Sequence, residues 1–180
     1  MRIGRESGRM GAAEQGADFT SDRWLALPRT LCFVMNGDDV LLMKRAAHRR
    51  VFPNQYNGLG GHIERDEDPY SAALREIEEE SGLQVHSLRL RSIHNIDAGG
   101  ATGIVLFVYT AISDTRAIRV DCVEGKLEWI AKERLQDLNL VEDLPALLPR
   151  ILTMDDDQPP YHAHVSYDAC DKIVLRFRDG

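Results

Sequence analysis

The spacing of hydrophobic positions changes several times along the chain, and each change marks an element. From Thr30 the run TLCFVMNGDDVLLMKR holds two apolar segments on either side of Asn36-Gly37, residues that tolerate the positive φ of a tight turn, so a two-stranded hairpin is predicted. AAHRRVFPNQYNGLGG loses all periodicity among Pro, Asn and Gly and reads as a loop. Helical spacing follows: Asp68 suits an N-cap, Pro69 the first helical position and Gly82 the residue just past the end, which predicts a helix over 69–81. LRLRSIHNI and GIVLFVYTAI are rich in β-branched and aromatic residues and read as strands, the second apolar enough to be central. KLEWIA predicts a further short strand, LPALLPRIL a short helix interrupted at Pro149, and HAHVSYDACDKIVLRF a closing hairpin. Strands, helix, strands, helix, strands describe an α+β chain with a mixed sheet covered by helices, not a regular βαβ series.

Length and composition narrow this picture. A chain of 180 residues, 43% hydrophobic and 28% charged, suits one folded domain. Residues 1–27 show no sustained apolar periodicity and are expected to form a flexible N-terminal extension, leaving 28–180 as the domain. Arg2, Arg5 and Arg9 are followed by no apolar run that could serve as a signal or a membrane span. Cys32, Cys122 and Cys170 lack the spacing of a zinc or redox motif and read as buried or inert thiols, so a reducing cytoplasm is expected. The net charge of −7 argues against a nucleic-acid polymer or an anionic membrane as partner, and an anionic substrate would need local cations or metal.

The chemistry suggested by the sequence lies in the helix. At 100° per residue, Tyr70, Ala73, Leu74 and Ile77 are assigned to a packing side, and Glu76, Glu79 and Glu80 to another. A solvated face is the ordinary reading of a Glu run. Here Glu76 meets Glu79 and Glu80 at i+3 and i+4, like-charge pairs that cost roughly 0.2–0.5 kcal/mol each, with no lysine in the helix to offset them. They also sit near the helix C-terminus, where anions are disfavoured, and Arg75 alone cannot neutralise three of them. A hard divalent cation with oxygen ligands resolves the conflict.

Gly61, five residues, Glu67, seven residues, Arg75-Glu76, Ile77, one residue, Glu79-Glu80, one residue, Gly82 and Leu83 resemble the complete Nudix box, and the resemblance extends over about residues 29 to 178. It implies a mixed β-sheet sandwiched between α-helices and a hydrolase of diphosphate links that uses Mg²⁺, with Mn²⁺ as a substitute. It further implies that Glu76, Glu79 and Glu80 are catalytic metal ligands, that the carbonyl of Gly60 is another ligand, and that Arg75 braces the helix through Glu67. Gly61 and Gly82 would support the box.

The flanks resemble the MutT-like 8-oxo-dGTP diphosphatase branch. QYNGLGG places Asn57 where that branch hydrogen-bonds a purine, and Lys44 is similar in position to a phosphate-contacting lysine. Glu124, five residues before Trp129, is a second candidate proton acceptor, and Asp143 falls at a base-reading position. Each keeps an ordinary alternative: a turn-capping Asn, a solvated strand-end Lys, a surface-turn Glu. Val141 departs from the branch, which carries a stacking Trp there. Arg49 and Arg50 are either phosphate contacts or a solvated basic loop, and His162 and His164 share a strand side but lack a third metal ligand. The expected partner is a small nucleotide: a nucleoside triphosphate cleaved to monophosphate and pyrophosphate, or ADP-ribose or a sugar nucleotide. A nucleotide-binding module without turnover is the alternative of another class. The sequence leaves oligomeric state open.

Overall fold

In the computed structural model, which describes residues 24–119 and 122–178, the predicted hairpin is β1 (Leu25–Asn36) and β2 (Asp39–Arg45), turning at Gly37 with φ of 60°. The chain continues through β3 (Tyr56–Asn57), α1 (Pro69–Ser81), β4 (His86–Ile96), β5 (Thr102–Ile112) and β6 (Gly125–Ala131). A 3₁₀ turn (Lys132–Asp137), α2 (Leu144–Ile151), β7 (Tyr161–Tyr167) and β8 (Ile173–Arg178) complete it. All eight strands join one mixed sheet in the order β3-β2-β1-β5-β4-β7-β8, with β6 on β2. β1 runs parallel to β5 and β4 parallel to β7, and the other pairings are antiparallel.

Alternation along β1 builds the two layers that cover this sheet. Leu31 and Phe33 face one side, where they meet Leu144, Leu147, Leu148 and Ile151 of α2; Cys32 and Val34 face the other, against Ala73 and Ile77 of α1. The expected helix-sheet-helix sandwich is therefore present. Among the described residues no helix is long and apolar enough to cross a membrane.

Two expectations need correction. β1 begins at Leu25, which pairs with Thr102, so residues 25–27 belong to the sheet and not to the extension. Leu25 and Leu27 remain 40% and 46% exposed, so a backbone ladder, invisible to hydrophobic patterning, recruits them. The rest of the expected extension lies outside the described residues. Pro149, in turn, does not interrupt α2, which runs on to Ile151. Burying Leu144, Leu147, Leu148 and Ile151, each at most 1% exposed, offsets the roughly 3 kcal/mol an interior proline costs.

The feature that positions the site is a fork in the sheet. β6 takes one edge of β2 along its whole length, while the other edge is shared: Leu41, Val40 and Asp39 pair with β1, and Met43 and Lys44 pair with β3. Where β2 leaves β1, the loop after β3 takes its place. Cys32 N donates to Leu59 O at 2.7 Å, Leu59 N to Cys32 O at 3.0 Å and Thr30 N to Gly61 O at 2.9 Å. The loop leading into α1 is thereby held against the middle of the sheet.

Candidate active site

Helix α1 forms as the sequence predicts, and its caps show why. Asp68 Oδ1 accepts from the backbone N–H groups of Tyr70 (2.8 Å) and Ser71 (3.0 Å), and Gly82 ends the helix at φ 69°, donating to Glu78 O at 2.7 Å. Its faces differ from expectation. Tyr70, assigned to the packing side, is 49% exposed, while Glu80 is only 9% exposed. Helical geometry explains the burial: Glu80 lies about 20° around the axis from Ala73, Glu76 about 60° and Glu79 about 120°. Glu80 therefore belongs to the packing face, and the three carboxylates step from core to solvent.

Arg75 gathers the outer part of this set. Its Nη2 and Nε donate to the two oxygens of Glu67 at 2.7 and 3.0 Å, and its Nη1 donates to Glu76 Oε1 at 3.0 Å and Glu79 Oε2 at 2.9 Å. A fifth bond, Nη2 to His62 O at 3.1 Å, ties the helix to the loop. These bonds, led by those to Glu67, raise the Arg75 pKa further, and Arg75 in turn holds the Glu67 carboxyl below its ordinary value. The Arg75–Glu67 brace is thus an observed contact.

Glu80 has a different environment. Its Oε2 accepts from Gly60 N at 2.9 Å, so the Gly60 main chain that was expected to face the carboxylates does so through its N–H. Burial, reinforced by Glu76 and Glu124 and opposed by the Gly60 bond, pushes the Glu80 carboxyl from 4.5 to about 8. Glu76 is raised by burial as well, although Arg75 opposes the shift. A Cβ at Gly61 would lie 2.5 Å from Glu76 Oε1 and displace that carboxylate, whereas Gly60 requires glycine, combining φ of 133° with a close approach to the Thr30 carbonyl.

No three His, Cys, Asp or Glu side chains among the described residues form a ready-made metal cage. The carboxylates are shared out instead, Glu76 and Glu79 to a guanidinium and Glu80 to a backbone N–H. The donor set still fits Mg²⁺: all hard oxygens, with a cation already bridging two of them and a third carboxyl whose ionisation is suppressed by burial and by its carboxylate neighbours.

Glu80, Gly60 and Gly61 open onto a cavity of about 550 Å³, which Asn57, Glu124, Val141 and Asp143 also line. Tyr56 N donates to Asn139 O at 2.8 Å and Val141 N to Tyr56 O at 3.0 Å, which brings the 139–143 segment beside β3. Asn57 Oδ1 accepts from Gly58 N at 2.9 Å, so the amide does cap its own turn while its cavity position is kept. Asp143 stands at the start of α2 without a side-chain capping bond, and burial raises its carboxyl. Val141 is 5% exposed and belongs to the α2-side core, offering no flat surface.

Other expectations shift. Glu124 reaches the cavity, but Arg49 Nη2 (2.9 Å) and Arg45 Nη1 (3.4 Å) each hold one of its oxygens. Arg49 thus contacts a carboxylate, and Arg50 is exposed and does not line the cavity. Lys44 is not among the lining residues. Met43 and Arg45 are, and strand alternation turns Lys44 away from both, over the Tyr56 ring at 5.7 Å and into a separate, more open cleft of about 610 Å³. Of the expected inert thiols, Cys32 is buried with its pKa pushed up by burial, whereas Cys170 is exposed. Among the lining residues that sequence reasoning missed are Arg29, Arg45, Phe52 and Tyr167. A charged residue two before Leu31 in an apolar strand could have flagged Arg29; nothing in the sequence announces Phe52, whose φ is 52°.

Comparison with known proteins places this geometry. Residues 26–151 match the model of the NUDIX domain. A 70-residue stretch is 37% identical to the human m7GpppN-mRNA hydrolase NUDT17, over 39% of this chain and 21% of that protein, so the match spans about a fifth of that relative. A longer stretch of 119 residues is 29% identical to the nucleoside triphosphatase NudI of Enterobacter sp., covering 61% of this chain and 84% of that one. Among solved structures, a MutT protein from Bacillus halodurans superposes with a TM-score of 0.71 at 23% identity, over 84% of this chain and 97% of that chain, a likeness of fold.

Proposed function

The chain belongs to the Nudix domain family, and on that premise we propose that it hydrolyses nucleoside diphosphate-linked substrates, cleaving a nucleoside triphosphate to monophosphate and pyrophosphate. The observation that carries this reading is one cavity of about 550 Å³ that Glu80, Gly60 and Gly61 line together with Asn57 and Asp143, so that a phosphate-binding group and base-reading groups share one space. The likeness to NudI over 84% of that protein, named a nucleoside triphosphatase, supports the triphosphate.

Glu76, Glu79 and Glu80 would hold Mg²⁺, or Mn²⁺ in its place; when bound, such an ion places positive charge on the phosphate oxygens and lowers the pKa of a coordinated water. Arg75 and Glu67 keep α1 against the loop that presents Gly60 and Gly61. Arg45 and Arg49 can turn from Glu124 to an incoming phosphate, since both line the cavity. That frees Glu124 to take a proton from the water that attacks phosphorus as the anhydride P–O bond breaks and pyrophosphate leaves. In the same cavity, Asn57 retains its Nδ2 donor while Asp143 presents a carboxyl raised by burial. A donor and a carboxyl together can read a purine edge. Oxidised purine nucleotides of the 8-oxo-dGTP type are the favoured substrates, with Phe52 or Tyr167 available for the stacking that Val141 does not provide.

A panel of triphosphates, ADP-ribose and sugar nucleotides, incubated with purified protein and Mg²⁺ or Mn²⁺, tests this. Monophosphate plus pyrophosphate supports it; two organic phosphates from ADP-ribose alone move the assignment to that substrate class. Nucleotide binding without product from any member would leave a binding module and refute the enzyme.

A further inference from the structure

Arg29 is a cation of the cavity that the carboxylate network leaves over. It is fixed from both sides: its backbone bridges to His62, Ile63 N donates to Pro28 O at 3.2 Å, and Thr30 N holds Gly61 O at 2.9 Å. Alternation along β1 places its side chain on the same face as Leu31, and both line the cavity with Gly60, Gly61 and Glu80. The other guanidiniums here have carboxylate partners in the absence of substrate, Arg75 in Glu67, Glu76 and Glu79, and Arg45 and Arg49 in Glu124, the pair that substrate can draw away. Arg29 has no carboxylate partner among the described residues. Its Nη2 meets only His62 Nε2, at 3.0 Å, and its Nε is buried without any acceptor. An imidazole nitrogen accepts that bond only when it is unprotonated, so His62 orients the guanidinium without cancelling its charge. A buried donor on an uncompensated cation, at the rim of a phosphate-hydrolysing cavity in a chain of net charge −7, is a demand for an anion.

We propose that Arg29 is a substrate-binding residue that takes an oxygen of the phosphate chain, approaching from β1 while Arg45 and Arg49 approach from β2 and the loop after it. This rests on the phosphoanhydride reading above.

Calorimetric titration with inorganic pyrophosphate in the presence of Mg²⁺, together with Mg²⁺ alone and a thermal melt, tests it on the wild type, Arg29→Met and Arg29→Lys. Arg29→Met is expected to bind pyrophosphate roughly ten- to a hundred-fold more weakly, the span of a hydrogen-bonded charge pair. Its Mg²⁺ affinity should be unchanged and its melting temperature unchanged or higher, since an unpartnered buried donor is removed. Arg29→Lys should recover part of the loss, and on a cleaved nucleotide Arg29→Met should raise KM more than it lowers kcat. Wild-type pyrophosphate affinity in Arg29→Met, no pyrophosphate binding by the wild type, or a lower melting temperature that Lys does not restore would each overturn the assignment. The two readings separate cleanly. A wild type that binds pyrophosphate through Arg29 but cleaves nothing sinks the hydrolase alone, while full turnover with unchanged KM in Arg29→Met sinks only the anion contact.

Discussion

At the carboxylate end of the site, where Glu80 is the α1 glutamate that lines the cavity, Glu67, Arg75, Glu76, Glu79 and Glu80 come from one loop and one helix, and their separations follow from the helical repeat and two caps. Elsewhere in the cavity, Phe52, Asn57, Val141 and Asp143 come from separate segments that meet through backbone bonds between β3 and residues 139–141 and through the packing of Phe52, Tyr56 and Val141 on the α2-side core. The first end is therefore written locally and leaves little freedom. The second depends on tertiary assembly, so its residue types say little until the segments are placed.

The sharpest way to break this contrast is Glu80→Gln. Turnover with saturating Mg²⁺ should fall by about a thousandfold, the effect of losing a ligand that positions a catalytic cation, while the fold survives because the new side chain is neutral in a buried place. Unchanged kcat would show that the carboxylate end is structural. Next, Asn57→Leu should lower kcat/KM for purine triphosphates by roughly ten- to a hundred-fold and leave pyrimidine substrates nearly unaffected. An equal loss for both would mean that Asn57 only caps its turn.

A third, smaller effect concerns stability in the metal-free protein. Folding raises Glu80 from 4.5 to about 8, so the folded state binds more protons in that window and loses stability as pH rises through it. His94, fully buried on β4, is lowered by burial from 6.5 to about 4, so its contribution is present above pH 6.5 and is lost as pH falls toward 4. The two slopes oppose each other between pH 4.5 and 6.5 and only the first remains above. Chemical denaturation should then show a loss of about 2 kcal/mol between pH 6.5 and 8, steeper than any change below pH 6.5, where His94 offsets the raised carboxyls. Saturating Mg²⁺ or Glu80→Gln should abolish that decline, and its persistence in Glu80→Gln would place the titrating group elsewhere. Smallest of all, Lys44→Ala should change kcat/KM by less than about twofold, because strand alternation turns it away from the cavity; a tenfold loss would put it back among the phosphate contacts.

These particulars also show what the sequence could and could not disclose. The helix boundaries were legible because Asp68, Pro69 and Gly82 act within one turn of their positions. The sandwich was legible from element order and apolar runs. Glu80's burial was available in principle, from its angle to Ala73, but was masked by treating three consecutive-looking glutamates as one face. The start of β1 was not legible, since exposed Leu25 and Leu27 are held by a ladder to β5. The direction of Lys44 was not legible from its position along the chain, since strand parity decides it. Arg29 and the clamp of Arg45 and Arg49 on Glu124 require knowing which loop replaces β2 beside β1.

The fork at β2 bears on how such a protein could diversify. The cavity is opened by a change of backbone partner, from β1 to β3, and main-chain hydrogen bonds are indifferent to side-chain identity. Cavity residues outside the packed core, such as Asp143 and Tyr167, can consequently be exchanged without disturbing the register that presents Gly60 and Gly61 to the carboxylates. A lineage built on this frame is free to change what it accepts while conserving how it cuts.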